Sequence, residues 1–98
     1  MRVYLPVTLD HLSALAAGSA IQVEGFVAAS TDEEDELAAV ETAADEAPAV
    51  AVAEVTDPDG PVELDDVEAF HLDADGSGDL AWFAPTELTT VIAILTTG

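Results

Sequence analysis

The sequence predicts an α+β domain, a two-layer sandwich in which a mixed sheet of about five strands carries two main helices on one face. Three observations predict it: a period-2 alternation at the start, two stretches of helical periodicity behind capping signals, and a central run of alanine and valine. At 98 residues the chain is long enough for one domain, residues 1–98, with a single modest core. The expected order of elements is β-α-β-α-β-β-β, closed by a short terminal helix or strand.

The first strand and the first helix follow from the opening residues. In MRVYLPV, at residues 1–7, valine and leucine alternate with arginine, tyrosine and proline, which is typical of a half-buried strand. Thr8 is then in position to cap a helix that Gly18 ends. A second strand is expected within residues 21–29, with a bulge at Gly25.

The acidic run DEEDE begins the second helix. Thr31 and Glu34 match a capping box, and carboxylates in the first turn complement the helix dipole. Leu37, Val40 and Ala44 form the expected buried stripe of this helix. Because charge runs are usually solvated faces, we interpret DEEDE as an exposed helix start and not as a metal site or a patch for a basic partner.

The second half of the chain predicts a central strand and a hairpin. AVAVAEV, residues 49–55, has almost no polar content, which is typical of a central strand. Residues 67–72 and 80–83 are rich in strand-forming types on either side of a polar turn, which predicts a β-hairpin. Residues 86–95 fit a helix capped by Thr86, but their β-branched content leaves a strand open as the alternative.

The hairpin turn, DADGSGD, resembles the start of an EF-hand calcium loop. The twelfth position, where an EF-hand places a bidentate glutamate, is Ala84, and Pro85 blocks the exiting helix. We therefore interpret the segment as turn chemistry that holds at most a weakly bound divalent or sodium ion. The candidate ligands are Asp73, Asp75, Ser77 and Asp79.

Charge is the dominant feature of the composition. The chain has 21 acidic residues, Arg2 as its single basic residue and a net charge of −20. Self-repulsion of this size destabilises a compact state in dilute buffer, and salt near 1 M, where the Debye length is ~3 Å, screens it. With no lysine and a core of mostly alanine and valine, the composition resembles that of haloarchaeal cytosolic proteins. The alternative is a nucleic-acid mimic, whose carboxylates stand in for phosphates before a basic partner.

Several chemistries are excluded by missing residue types. Without lysine or cysteine there is no Schiff base, P-loop lysine, thiolate metal site or disulfide, and so acidic a surface repels nucleic acid. His11 and His71 are the only side chains suited to acid–base or metal chemistry near neutral pH, and no motif links them. No catalytic residue and no cofactor is assigned. Trp82 and Phe83 are adjacent in a strand, so they are expected to point to opposite sides, one into the core and the other either exposed as a partner surface or covered by the terminal segment.

Short blocks along the chain carry a family resemblance. MRVYLPVTLDHLSAL, GFVAAST, EEDELAAVETAADEA, AVAVAEVTDPDG, DDVEAFHLD and DLAWFAPTEL occur in that order. In this order they resemble an uncharacterised family of small actinobacterial proteins whose members begin MRVYLPAT. This sequence is shorter before Asp79 and lacks the arginines usual in that family. The resemblance implies a cytoplasmic α+β domain and no particular activity.

The expected function is binding rather than catalysis. We expect a cytoplasmic, salt-adapted domain that acts through protein–protein contacts, including a homodimer formed by sheet edges. Proline and charged residues interrupt the apolar N-terminus, which argues against a signal peptide, and no stretch approaches the ~20 apolar residues of a membrane span. The alternatives are the nucleic-acid mimic and a metal protein or enzyme built on His11, His71 and nearby carboxylates.

Overall fold

Four strands and three helices make up the part of the fold that the structure describes. The computed structural model describes residues 2–28, 32–57, 60–74 and 80–97. The strands are β1 (Arg2–Val7), β2 (Ala49–Glu54), β3 (Val67–Leu72) and β4 (Ala81–Phe83), and the helices are α1 (Leu9–Ala16), α2 (Glu33–Ala44) and α3 (Leu88–Thr97). Single 3₁₀ turns precede β3 and α3. The predicted α+β class is confirmed, and the terminal element is the helix and not the strand.

The strands form one antiparallel sheet in the order β1-β2-β3-β4. The described sheet is antiparallel throughout, so the prediction of a mixed sheet was wrong, and the predicted number of about five strands is not confirmed. Both α1 and α2 lie in the connection between β1 and β2, so these two neighbouring strands run in opposite directions. The central position predicted for residues 49–55 is confirmed, because β2 pairs with a strand on each side.

Residues 21–28 do not form the predicted second strand. Ile21 pairs with Val62, whereas Phe26 pairs with Tyr4 at the outer edge of β1 through two hydrogen bonds of 2.8 and 2.9 Å. The two isolated bridges go to different partners, so no continuous ladder forms. Gly25 lies so close to β1 that a Cβ there would meet the Leu5 Cδ2 atom at 2.6 Å. The glycine thus permits a close crossing of the strand edge rather than a bulge.

The two main helices cover opposite faces of the sheet, so the predicted two-layer arrangement was wrong. On the face that we call the α1/α3 face, Leu12 and Leu15 of α1 and Leu88 and Val91 of α3 pack in one buried cluster. The strand residues of that cluster are Val3, Leu5, Val7, Ala49, Ala51, Ala53, Val67, Phe70 and Leu72. The other face, the α2 face, packs against Ala39, Val40 and Ala43. Its strand residues are Tyr4, Val50, Val52 and Ala69.

The crossing at Phe26 explains this arrangement. α1 leaves β1 on one face, and the chain then passes around the outer edge of β1, where Phe26 pairs with Tyr4, before it enters α2. Coverage of both faces also agrees with the sequence of β2, whose residues 49–53 are all buried. A strand with no polar face is typical of a sheet packed on both sides.

The helix ends differ in how well they are capped. The Thr8 cap is confirmed: its side chain accepts from the His11 amide, and the His11 Nδ1 atom accepts from the Thr8 amide at 3.0 Å. Gly18, with φ of +84°, follows α1 as predicted. For α2 the capping residue is Asp32, with no side-chain cap bond, while Thr31 of the predicted capping box lies outside the described residues.

The helix positions also correct one predicted stripe. On α2 the buried residues are Ala39, Val40 and Ala43, so the helix is rotated from the predicted stripe and Leu37 is 55 % exposed.

The radius of gyration is 12.3 Å, close to the ~12.6 Å expected of a folded domain of this length. No helix in the described part of the chain combines the length and apolarity needed to cross a membrane.

Candidate functional site: the cleft between α2 and β4

The β3–β4 hairpin is confirmed. Most of the residues that would bind calcium in its loop lie outside the described part of the chain, so the calcium hypothesis stays a prediction. Phe70 pairs with Phe83, and His71 pairs with Trp82. Asp75, Ser77 and Asp79 lie outside the described residues, so of the four candidate ligands only Asp73 is described. Among the residues that the structure describes, no group of three or more potential metal ligands is brought together.

The two histidines are not brought together either. His11 belongs to α1, where its ring completes the cap on Thr8. His71 is paired with Val50, a residue of the α2 face, and lines a cleft on that face. The sheet therefore separates the two imidazoles. A shared metal site on His11 and His71 is incompatible with this placement.

An open cleft of about 370 Å³ lies on the α2 face, and the described residues that line it are chemically varied. Tyr4, Val52 and Ala69, from three adjacent strands, contribute its sheet side. α2 contributes the opposite wall through Glu33, Glu36, Leu37 and Val40. Arg2, Glu68, His71 and Trp82 complete the lining. Charged, aromatic and aliphatic groups thus face one space.

Two large apolar side chains remain exposed at this cleft. Trp82 is 61 % exposed and Leu37 is 55 % exposed, although they belong to different elements. Phe83, the neighbour of Trp82, is partly buried against the core of the α1/α3 face, so the two rings point to opposite sides as predicted and Trp82 is the exposed one. Exposed apolar side chains that share one cleft are typical of a binding surface.

Arg2 connects α2 to the sheet at this cleft. Its guanidinium donates to the Glu36 carboxylate at 2.8 Å and lies 3.2 Å from the Glu68 carboxylate. The charge of Glu68, followed by hydrogen bonding with Tyr4, raises the pKa of the Arg2 guanidinium. Burial of the Tyr4 ring, together with the charge of Glu36, raises the pKa of that phenol. The single basic side chain of the protein is thus engaged by two carboxylates.

A β-bulge places Glu68 beside Arg2. Val52 pairs with Ala69 and Ala53 pairs with Val67, so Glu68 is the additional residue of β3. The shift returns Val67 to the α1/α3 face and leaves Glu68 exposed. Bulges of this kind re-aim a side chain and interrupt a regular ladder. Alternation along VEAFHL does not reveal the bulge, so the sequence could not place Glu68 in the cleft.

His71 is half-buried in the same cleft. Burial lowers the pKa of its imidazole below the ordinary value, because a charged ring is less well solvated there. The ring is therefore neutral at pH 7 and adds no positive charge beside Arg2. A neutral, partly covered imidazole next to Trp82 extends the uncharged part of the lining.

A larger depression of about 440 Å³ opens at the turn after β2, but its lining is less informative. Val55 and Pro61 are its apolar contributors, and Glu54, Asp57 and Asp66 supply carboxylates. Its lining includes Asp57 and Gly60, and the residues between them in the sequence are outside the described part of the chain. Because the chain has 21 acidic residues, a few carboxylates that share a depression without a basic or aromatic neighbour do not indicate a particular ligand.

Comparisons with known proteins assign no family. When the chain was compared with protein-family models, with curated proteins and with solved structures, none of them matched it. The resemblance to the small actinobacterial family stays a prediction, and the functional conclusion depends on the cleft itself.

Proposed function

We propose that the chain is a salt-adapted, cytoplasmic domain that acts by binding another protein, and that the cleft between α2 and β4 is its binding surface. One observation carries this proposal. Three large hydrophobic side chains are exposed among the described residues, and two of them, Leu37 and Trp82, line the same cleft. A pair of exposed apolar groups over a shared depression supplies the apolar centre that a protein interface requires.

The motivation for a homodimer is weaker than the sequence suggested. The predicted two-layer arrangement would leave one sheet face for a second copy to cover, whereas α1 and α3 cover one face and α2 packs on the other. One edge of the sheet is also partly covered, because Phe26 forms an isolated bridge with Tyr4 of β1. Two copies would bring together two charges of −20. A different, less acidic protein is therefore the better partner.

Trp82 provides a direct test, since it is the single tryptophan of the chain and lies in the cleft. A display library of unbiased peptides is selected against the protein in ~2 M KCl, and each enriched peptide is titrated while Trp82 fluorescence is followed. We expect enriched peptides to shift the emission to shorter wavelength, because binding removes the indole from water.

The matched variants are Leu37→Ala and Val27→Ala. Val27 is 52 % exposed, nearly as much as Leu37, but it does not line the cleft. Leu37→Ala should weaken the selected peptides by roughly tenfold, about the effect of removing 1–2 kcal/mol of apolar contact, while Val27→Ala should leave them unchanged. Failure to enrich any peptide, or equal losses in the two variants, would contradict the proposal.

A further inference from the structure

The cleft has an uncompensated negative charge beside its apolar groups. Three carboxylates line it, on Glu33, Glu36 and Glu68, whereas Arg2 is the only cation among its described lining residues. Arg2 is already engaged by Glu36 and Glu68. Glu33, one turn before Leu37 on α2, forms no ion pair with any described residue, and His71 is neutral at pH 7. An occupant that brings one positive charge would find an unpaired carboxylate next to exposed apolar side chains.

The remaining lining suits the same occupant. The face of an indole attracts an arginine or lysine side chain through its quadrupole, and Trp82 is exposed at the cleft. The aliphatic stem of such a side chain also packs against apolar surface, which Leu37 offers. In salt near 1 M the Debye length is ~3 Å, so attraction at long range is screened and direct contacts must provide the selectivity.

We infer that the cleft between α2 and β4 binds a segment of a partner protein that presents one arginine or lysine next to an apolar side chain. The cation contacts Glu33 and the Trp82 ring, and the apolar group contacts Leu37. This inference rests on the proposed function and names the chemistry of its partner. A second copy of the chain does not fit, because its only basic residue is held by its own Glu36 and Glu68. Nucleic acid and anionic membranes do not fit either, because they would add negative charge.

The test uses three matched peptide sets in ~2 M KCl. All sets share the same apolar and neutral polar sequences, and one central position carries arginine, the neutral isostere citrulline, or glutamate. Binding is followed through Trp82 fluorescence. We expect the arginine peptides to bind about tenfold more tightly than their citrulline counterparts, as a partly desolvated cation–π contact and an ion pair would give. The glutamate peptides should bind most weakly.

Two variants locate the effect. Glu33→Gln removes the unpaired carboxylate of the cleft, and Glu41→Gln removes an equal charge from an exposed position of α2 that does not line the cleft. Glu33→Gln should weaken arginine peptides by roughly 2–5-fold, as for an exposed ion pair, without affecting citrulline peptides. Glu41→Gln should change neither set.

The outcomes separate the inference from the function on which it rests. Equal binding of the arginine and citrulline sets overturns the cation requirement and leaves a protein-binding cleft. Equal effects of Glu33→Gln and Glu41→Gln show general attraction to an acidic protein and overturn the assigned contact. Absence of binding by every set contradicts both proposals. A dimer in sedimentation equilibrium, together with Trp82 emission that shifts to shorter wavelength as the dimer forms, assigns the cleft to a second copy and also overturns the inference.

Discussion

The two faces of the sheet differ in how completely they are packed. The α1/α3 face contains the largest side chains that are almost fully buried, including Phe70, Leu5, Leu12 and Leu72. The α2 face has one large buried residue, Tyr4, and otherwise alanine and valine. Because apolar stabilisation scales with buried area, most of the folding free energy is expected on the α1/α3 side. The more weakly packed face is also the one with the cleft.

The N-terminal ends of α1 and α2 show the same contrast. α1 has a reciprocal cap between Thr8 and His11, whereas Asp32 makes no side-chain cap bond to α2. α2 also has carboxylates throughout its first turn and no basic residue in its last turn. A helix of 12 residues is marginal on its own, so α2 depends on its small contact with the sheet. Most of the stability is thus expected on one side of the sheet, and the proposed binding surface lies on the other.

The largest expected effect is that of salt. The accessible surface of 5548 Å² carries a net charge of −20, or one charge per ~280 Å². At ~0.01 M salt the Debye length of ~30 Å lets each carboxylate repel many others, whereas at 1 M it is ~3 Å. We predict partial or complete unfolding in dilute buffer at pH 7 and cooperative folding as KCl rises towards ~2 M, because repulsion then no longer opposes a net stability of ~5–15 kcal/mol.

Circular dichroism and amide NMR spectra across a KCl series measure this transition. The contrast between the faces predicts that amides of α2 lose protection at higher salt than those of α1 and α3. Addition of an uncharged osmolyte at equal osmolality serves as the control for effects other than screening. A domain that is fully folded and insensitive to salt at ~20 mM would contradict salt adaptation and would favour the nucleic-acid mimic, which must be folded in physiological buffer.

Truncations to alanine in the two cores test the contrast. Phe70 on the α1/α3 face is fully buried, and its replacement by alanine should lower the free energy of unfolding by about 3–5 kcal/mol. Val40→Ala in the α2 packing should lower it by about 1–2 kcal/mol, since two methyl groups are removed from a more open site. Urea unfolding in ~2 M KCl measures both without adding charge. Equal losses, although Phe70→Ala removes the larger side chain, would contradict the contrast between the faces.

The sequence predicted most elements but not how they are layered. Alternation along β1, the cap at Thr8 and the continuous apolar run of β2 each depend on neighbouring residues, and each is confirmed. The faces occupied by α1 and α2 depend on where the chain crosses the edge of β1. That crossing depends on the close approach of Gly25 to Leu5. The two residues are 20 positions apart in the sequence, so no local sequence pattern predicts their contact. The buried run of β2 nevertheless contained the signal for helices on both faces.

The cleft was predictable only in part. Alternation predicted that Trp82 and Phe83 would point to opposite sides, which the structure confirms. Leu37 was expected in the core but is exposed. In a helix rich in alanine, the few large residues do not determine which side of the helix faces the sheet. Glu68 reaches Arg2 through a bulge, and bulges depend on pairing with another strand.

A smaller effect is expected from the link between α2 and the sheet. Arg2→Gln removes the cation between Glu36 and Glu68 and leaves their two carboxylates without compensation. Because Arg2 is 44 % exposed, the free energy of unfolding should fall by about 1 kcal/mol or less. Urea unfolding in ~1 M KCl measures the loss.

A double-mutant cycle separates the ion pair from the change in net charge. The coupling between Arg2→Gln and Glu68→Gln should be ~0.2–1 kcal/mol, whereas Arg2→Gln and Glu41→Gln should be additive. Coupling of equal size in both cycles would mean that Arg2 acts only through the overall charge of the domain.

The smallest effect concerns pH and His71. Burial lowers the pKa of this imidazole in the folded state below the ordinary value of ~6.5 expected in the unfolded chain. Between these two pKa values the unfolded chain binds more protons, so the stabilising contribution is complete above pH ~6.5 and declines as the pH falls towards the folded pKa. Protonation of carboxylates at lower pH acts in the opposite direction, because it reduces repulsion, and the two contributions must be separated.

His71→Gln retains a polar side chain without this titration, so the wild type should lose stability relative to the variant as the pH falls below ~6.5. The contribution of the carboxylates is common to both proteins. The ring signals of His71 in NMR spectra should titrate below the range of an unfolded-state histidine. A folded-state pKa at or above that range would show that the carboxylates on Glu33, Glu36 and Glu68 outweigh burial, and the cleft would then gain its own positive charge in mild acid.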